Sequence, residues 1–381
     1  MTEKLERQLP TGIGGEKLNE GKETLPAVEV ANEVAWVNNK IEAPFKLEVG
    51  KQSRLGMFLT PNNEGENPYP VEVSKDQTRS GILGRVIFKD KEGRLYRDID
   101  MKGIGYSRIG YVPSDRNEGG AGPLGWHSVY RHIWRWAGTT GIANQELIRR
   151  DVDFSEKFLK AGVRTHRVIA VIDLKEVVGR DGRKMSIKEA QKEGVLKEND
   201  EPVIEIRAFG VRSRLSDIDA NFSKPAIQKR LLEDARTMVA QELGLDPDKF
   251  TDQEYIEWLV DTMAVNVARM HHKKWVHGYL TTHNITLDGR IVDLDSVENI
   301  KEHERRDLHR DEDRKSFIGD CDMAVNSLIR LQDVLYYYPH QSIHPRYWVQ
   351  DSFSLAYKGE SERLKNRKKE GAKKEIPKKN I

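Results

Sequence analysis

One cysteine, Cys321, stands among 381 residues, which excludes an internal disulfide framework and a cysteine-rich zinc site and suits a reducing compartment. Net charge is nearly absent too. Lys and Arg total 63 against 61 Asp and Glu, leaving +2, so no global basic field points to nucleic acid or an anionic membrane. Long apolar runs are missing: stretches such as Val168 to Ile172 are far too short to cross a bilayer. The opening Met1-Thr2-Glu3-Lys4-Leu5-Glu6-Arg7 mixes acids and bases without the apolar segment of a secretory signal. The expectation is a cytoplasmic protein, long enough for two domains or one two-lobed unit.

Residues 1–30 mix Gly, Pro, Glu and Lys without apolar periodicity and read as a flexible arm. Strand patterns follow at Val71–Val73, Gly84–Phe88 and Leu95–Met101, the last two separated by the turn Asp90-Lys91-Glu92-Gly93. Helical spacing is expected over 126–150 and in a short helix from Phe154 to Lys160, with a strand at Arg167–Leu174. Residues 176–201 read as an exposed insertion before strand character resumes at Val203–Ile206. The clearest element runs from Thr251 to Trp275, where Tyr255, Ile256, Leu259, Val260, Met263, Ala264, Val267 and Met270 form one apolar stripe. Thr251 and Glu254 supply a capping box at its start. A second such helix is expected over 318–337, and a Lys-rich, disordered tail over 358–381.

Strands first and helices second predict an α+β, two-lobed fold: a β-rich N-lobe over 31–210 and a helical C-lobe over 211–357, with a cleft between them.

Chemistry concentrates after the long helix. His277-Gly278-Tyr279-Leu280-Thr281-Thr282-His283-Asn284-Ile285-Thr286-Leu287 leads through Asp288-Gly289-Arg290 to Ile291-Val292-Asp293. A kinase-like catalytic loop uses an Asn and, beyond a short hairpin, an Asp to ligate the Mg²⁺ bridging nucleotide phosphates, and Asn284 and Asp293 fit those roles. Asn284 as a plain turn residue and Asp293 as a solvated strand-end carboxylate is the plainer alternative. Asp295 competes with Asp293; in a strand both point the same way, and spacing favours Asp293. The loop lacks the Asp base of ordinary kinases, since Tyr279 stands where small-molecule kinases with a His-Gly-Asp start carry it.

The His-Gly start without that Asp resembles the selenoprotein O family, in which an Asp precedes the metal-binding Asn; here that position is His283. Lys102-Gly103-Ile104-Gly105-Tyr106-Ser107-Arg108 is similar to the family's Lys-Gly-Ala-Gly stretch leading to Tyr-Ser-Arg. Ser155 to Arg167 resembles its Ser-Glu helix followed by Leu-Gly-Ile-Pro-Thr-Thr-Arg. Arg207 and Arg214 match its paired phosphate-binding arginines, and Gly84-Arg85 matches the second half of its Gly-Asp-Gly-Arg nucleotide turn. The order agrees over roughly residues 80–300. The family's Asp-Gly-Arg after Tyr-Ser-Arg has no clear counterpart; Asp115, Gly119 and Gly120 lie in a longer Gly-rich loop.

The resemblance implies a protein-kinase-like fold that transfers AMP from ATP, with Mg²⁺ or Mn²⁺, to Ser, Thr or Tyr hydroxyls of a protein substrate. It implies Lys102 on the phosphates and paired with Glu156, Arg207 and Arg214 on phosphate oxygens, Gly84 and Arg85 at the nucleotide, Asn284 and Asp293 on the metal, and His283 in place of an acidic catalytic residue. An imidazole titrates near pH 6.5 and can serve as a base near neutral pH. Plainer roles stand beside these: Glu156 completing a capping box with Asp153, Lys102 as a solvated strand-end lysine, and Arg207 and Arg214 paired with Glu205 and Asp217. A phosphotransferase and an inactive scaffold are the alternative functions. His271 and His272 suit the C-terminal end of the long helix, whereas His303 and His309 lie in a solvated charge run.

Overall fold

The computed structural model describes residues 22–60, 68–74, 80–105, 142–179, 182–221, 223–300, 316–337 and 345–374. Expectations for Tyr106-Ser107-Arg108, Asp115, Gly119, Gly120, the helical pattern up to residue 141, His303 and His309 lie outside the described residues. The chain forms two compact units, with Asp153–Thr165 and the residues from Ser213 onward making the second. It is α+β as expected, one unit rich in strands and the other in helices.

The first unit is built on a nine-stranded sheet whose pairings are all antiparallel. Its strands are β1 (Lys22–Glu29), β2 (Asn32–Val37), β3 (Met57–Leu59), β4 (Tyr69–Ser74), β5 (Ser80–Lys89), β6 (Leu95–Lys102), β7 (Ala143–Asn144), β8 (Arg167–Leu174) and β11 (Pro202–Phe209). The main path runs β2-β8-β11-β6-β5-β4-β1-β3, with β7 also on β11. β8 and β11 are buried along nearly their whole length, which places unbroken runs such as Val168–Ile172 inside the sheet, between β2 and β11. Tyr96, Ile99, Met101, Ile104, Ile169, Ile172 and Ile204 share one core, each such side chain contributing about 1.5–3 kcal/mol by its burial.

Several expectations change here. Residues 22–29, placed in a flexible arm, form β1 and bury Ala27 and Val28 against Leu59 and Phe58. Pro26 and the charges around it mask that strand in the sequence, because its partners are remote. The insertion is ordered: β9 (Glu176–Val178) pairs with β10 (Lys184–Ser186), and α2 (Ile187–Lys192) starts on a Ser186–Glu189 capping box.

Where the described residues resume, Ala143–Asn144 form β7, and α1 (Gln145–Ala161) covers both the end of the first expected helix, 126–150, and the whole of the second, Phe154 to Lys160. Residues 153–156 therefore lie in a helix interior and form no capping box. α1 closes at Gly162, whose φ of 77° is the left-handed conformation that suits glycine after a helix.

The second unit holds the end of α1 with α3 (Leu215–Ala220), α4 (Pro225–Leu243), α5 (Asp252–His272), α6 (Phe317–Tyr337) and α7 (Arg346–Lys374). α5 buries the expected stripe and starts on the expected Thr251–Glu254 box. Residues 358–374, expected to be disordered, continue α7. Phe353 is buried, the Tyr357 hydroxyl meets His271 Nδ1 at 2.9 Å, and Arg269 Nε donates to Glu360 Oε1 at 2.7 Å. Tryptophan 275 stacks on Phe158 with centroids 5.5 Å apart, tying α1 to the strand β12 (Trp275–Val276), which pairs with β13 (Glu298–Asn299).

Candidate active site

In the first unit, alternation along β6 puts Asp98, Asp100 and Lys102 on one face of the sheet. The register with β11 sets Phe209, Arg207 and Glu205 opposite them. All five charged residues are essentially buried, so each needs a partner to offset its lost hydration. Lys102 Nζ lies 3.3 Å from Asp151 Oδ2 on α1 and 3.9 Å from Glu205 Oε2. Asp151 Oδ1 is 3.1 Å from His166 Nε2, and the His166 ring stacks on Phe209. Arg207 grips Asp100 with two nitrogens, Nε at 2.9 Å and Nη2 at 2.8 Å. Arg212 adds its Nε to the same carboxylate at 2.9 Å, and its backbone N–H donates to Asp98 Oδ2 at 2.8 Å.

The electrostatics follow from that geometry. Burial alone would raise the Asp100 carboxyl, but the Arg207 and Arg212 guanidiniums outweigh it and hold the group below the usual carboxylate range. Asp151 follows the same logic, burial being overcome by His166 and Lys102. Glu205 goes the other way: burial, reinforced by the neighbouring Asp151 charge, pushes its carboxyl well above the ordinary value.

Gly84 and Arg85 lie inside β5 at interruptions of its register with β6, and Arg85 Nε is 3.4 Å from Asp98 Oδ1. Gly103 and Gly105 have φ of 102° and 96°. A Cβ on Gly103 would collide with the Val203 carbonyl, and one on Gly105 would come within 2.7 Å of Phe58. Their close approach is thus to the protein's own backbone and side chains. Glu156 falls in the part of α1 that belongs to the second unit and is half-buried; the α1 carboxylate 3.3 Å from Lys102 is Asp151.

The second unit frames the loop. Asp320, fully buried on α6, accepts from the backbone N–H of His277 at 2.8 Å and of Gly278 at 2.7 Å. His277 Nε2 sits 2.9 Å from the Val292 carbonyl. The Asn284 side-chain amide donates to the Tyr279 carbonyl at 2.8 Å, and the Asn284 carbonyl accepts from Val292 N–H at 3.0 Å, which brings Asn284 next to the strand end carrying Asp293. Ile285 bridges to Ile291 around the Asp288-Gly289 turn. Behind that turn, Arg290 Nε bonds Asp288 at 2.8 Å, and Arg164 Nη1 bonds Glu242 at 2.7 Å.

Asp293 departs from the strand geometry expected for it. It has φ 59° and ψ 57° and caps the 3₁₀ turn Leu294–Ser296. Among the described residues only Lys274 shares a positive φ without being glycine. A non-glycine residue held there costs of order 1 kcal/mol and points toward a functional constraint. Arg214 Nη1 lies 3.0 Å from Asp293 Oδ2 and also donates to the His283 carbonyl, while its backbone N–H is held by Asp217 at 2.7 Å. The structure therefore gathers Arg214, His283, Asn284 and Asp293 around one loop, with the His283 side chain exposed. The oxygens of Asn284 and Asp293 are a donor set suited to a hard divalent cation such as Mg²⁺.

Sequence reasoning passed over Asp151, His166, Arg212 and Asp320. Period-two counting back from Lys102 reaches Asp100 and Asp98, a row of charges that reads the same in sequence whether it faces solvent or a buried network. Asp320 gives no comparable local signal, since its partners lie 42 and 43 residues away.

No family model and no curated protein matches the chain. Among solved structures it is similar to ROP2 from Toxoplasma gondii, described as a virulence factor with a protein-kinase fold and no enzymatic activity. That match has 13% identity, covers 81% of this chain and 84% of that one, and has a TM-score of 0.36. It is also similar to a Toxoplasma gondii rhoptry antigen kinase domain, at 12% identity, 80% and 84% coverage and a TM-score of 0.31. A third, WaaP in complex with acyl carrier protein, has 12% identity, 78% and 87% coverage and a TM-score of 0.21. Nothing about activity follows from these likenesses; the chain's own residues bear on that. No helix among the described residues is long and apolar enough to cross a membrane.

Proposed function

We propose that the chain is an ATP-dependent transferase of the protein-kinase-like kind, and that it moves AMP rather than phosphate onto hydroxyls of a protein substrate. The observation that carries the reading is the loop itself. Asn284 and the constrained Asp293 offer oxygen ligands at the two ends of a hairpin in a loop whose start is held by Asp320, while Tyr279 stands where a kinase's carboxylate base belongs. Lys102, held by Asp151, together with Arg207 and Arg214, would bind nucleotide phosphates, and Asn284 and Asp293 would hold Mg²⁺ or Mn²⁺. The metal would neutralise phosphate charge as it develops. Such transfer relies on positioning and charge neutralisation, so it tolerates the loss of an acidic base.

In the adenylyl transfer the acceptor oxygen attacks the α-phosphorus. A bond forms there, the bond to the α–β bridging oxygen breaks, pyrophosphate leaves, and His283 takes the hydroxyl proton. The resemblance to selenoprotein O supports AMP over phosphate, as does the missing carboxylate at position 279. Analysis of the small product decides between them: pyrophosphate is expected from ATP and acceptor protein, whereas ADP would make the chain a phosphotransferase. The second reading is a nucleotide-binding scaffold without turnover, favoured by the exposed imidazole of His283 where the family has an acid; it yields neither product.

A further inference from the structure

The Asp100 carboxylate holds two guanidiniums, and they are left in different states. Arg207 spends both its Nε and its Nη2 on Asp100 and is fully buried. Arg212, 6% exposed, spends Nε on Asp100, while its buried Nη2 has no hydrogen-bond acceptor. A buried guanidinium N–H without an acceptor is costly, and folded proteins seldom leave one. An oriented, desolvated guanidinium edge is also the group best matched to a phosphate oxygen.

The surrounding charge agrees. Asp98 is taken by Arg97 at 2.8 Å and by Arg85 at 3.4 Å. What remains is Lys102, Arg207 and Arg212 facing Asp100, Asp151 and Glu205. Burial and the Asp151 charge push the Glu205 carboxyl toward its neutral form, which leaves the cluster with surplus positive charge.

We infer that Arg212 is a phosphate-binding residue of this site, its Nη2 donating to a nucleotide phosphate oxygen while Asp98 and Asp100 hold its backbone and Nε in place. This rests on the nucleotide-binding reading above and adds to it a residue that neither the motifs nor the resemblance singles out. Arg207, through its Nε and Nη2, fixes the Asp100 carboxylate and thereby orients Arg212.

Calorimetric titration of the full chain with MgATP and, separately, with adenosine tests the assignment in wild type and in Arg212→Lys, which keeps the charge and removes the fork. Loss of one charge-assisted bond is expected to raise the Kd for MgATP about ten- to a hundredfold, with adenosine affinity unchanged. Equal MgATP affinity in wild type and variant overturns the role of Arg212 and leaves nucleotide binding intact. A wild-type chain that binds no ATP overturns both. If Arg212→Lys fails to fold, a crystal structure of the wild-type chain with a non-hydrolysable ATP analogue decides. A phosphate oxygen at about 2.7–3.2 Å from Arg212 Nη2 supports the assignment, and phosphates bound out of its reach refute it.

Discussion

Removing the Asp320 carboxylate should loosen the loop that carries the proposed chemistry, and by an amount the structure sets. Asp320 is fully buried and accepts from two buried backbone N–H groups, those of His277 and Gly278, with His271 Nε2 at 3.3 Å. Asp320→Ala leaves both N–H groups without an acceptor at about 1–3 kcal/mol each, so a loss of about 2–6 kcal/mol is expected. Asp320→Asn keeps one carbonyl oxygen and sets its NH₂ against the second donor, for about half that loss. Because the chain has two units, a single unfolding free energy is ill-defined. Hydrogen exchange of the buried α5 amides reports opening of the helical unit alone, and the amides of 277 and 278 report the loop. The expected result is lost protection at 277 and 278 in both variants, with α5 opening more easily in Asp320→Ala than in Asp320→Asn. A shift at α5 below about 0.5 kcal/mol, the range of ordinary surface substitutions, would refute the reasoning.

Three further outcomes follow from the same geometry. Glu205 has its folded-state carboxyl raised, so the native state binds a proton the unfolded chain releases; stability falls as pH rises from its ordinary value of 4.5 toward the folded value. Glu205→Gln should therefore gain up to about 1.4 kcal/mol per pH unit across that window, seen as a flatter thermal midpoint against pH; a parallel, unshifted curve contradicts it. Asp151→Asn removes the carboxylate beside Lys102 and His166 and leaves a buried ammonium less compensated, so a loss of about 3–5 kcal/mol is expected in thermal or denaturant melts of the first unit; a variant as stable as wild type would show that the pair does not anchor Lys102. Asp293→Gly relieves the left-handed backbone at that position but takes the carboxylate from the nearly buried Arg214, so a stability loss of about 1–3 kcal/mol is expected together with loss of metal-dependent turnover. Retained turnover would remove Asp293 from the metal site.

The elements that could be read from sequence are those whose signal is local. The α5 stripe repeats at helical spacing over a window long enough to stand out, and its capping box spans four consecutive positions. The strands at 84–88, 95–101 and 167–174 carry dense apolar patterns of their own. β1 could not be read, because Pro26 and flanking charges hide a strand stabilised by pairing with residues 57–59 and 69–74. α7 could not either: its last turns are Lys-rich, and its hold on the fold comes from Phe353, Tyr357 and Glu360 meeting residues far away in the chain.

The candidate site divides along the same line. The loop from His277 to Asp293 is visible as a contiguous motif. The Asp98–Asp100–Lys102 row and its partners Asp151, His166 and Arg212 come from four separate segments, and only the β6–β11 register and α1 bring them together.

Which part of ATP reaches protein tests the proposed activity most directly. Purified chain with Mg²⁺ or Mn²⁺, lysate as acceptor, and ATP labelled in parallel at the α- and γ-phosphates should retain α-label on protein, and lose it in Lys102→Ala and in Asp293→Ala. γ-Label alone would make the chain a kinase despite Tyr279, and protein carrying neither label would contradict transferase activity altogether.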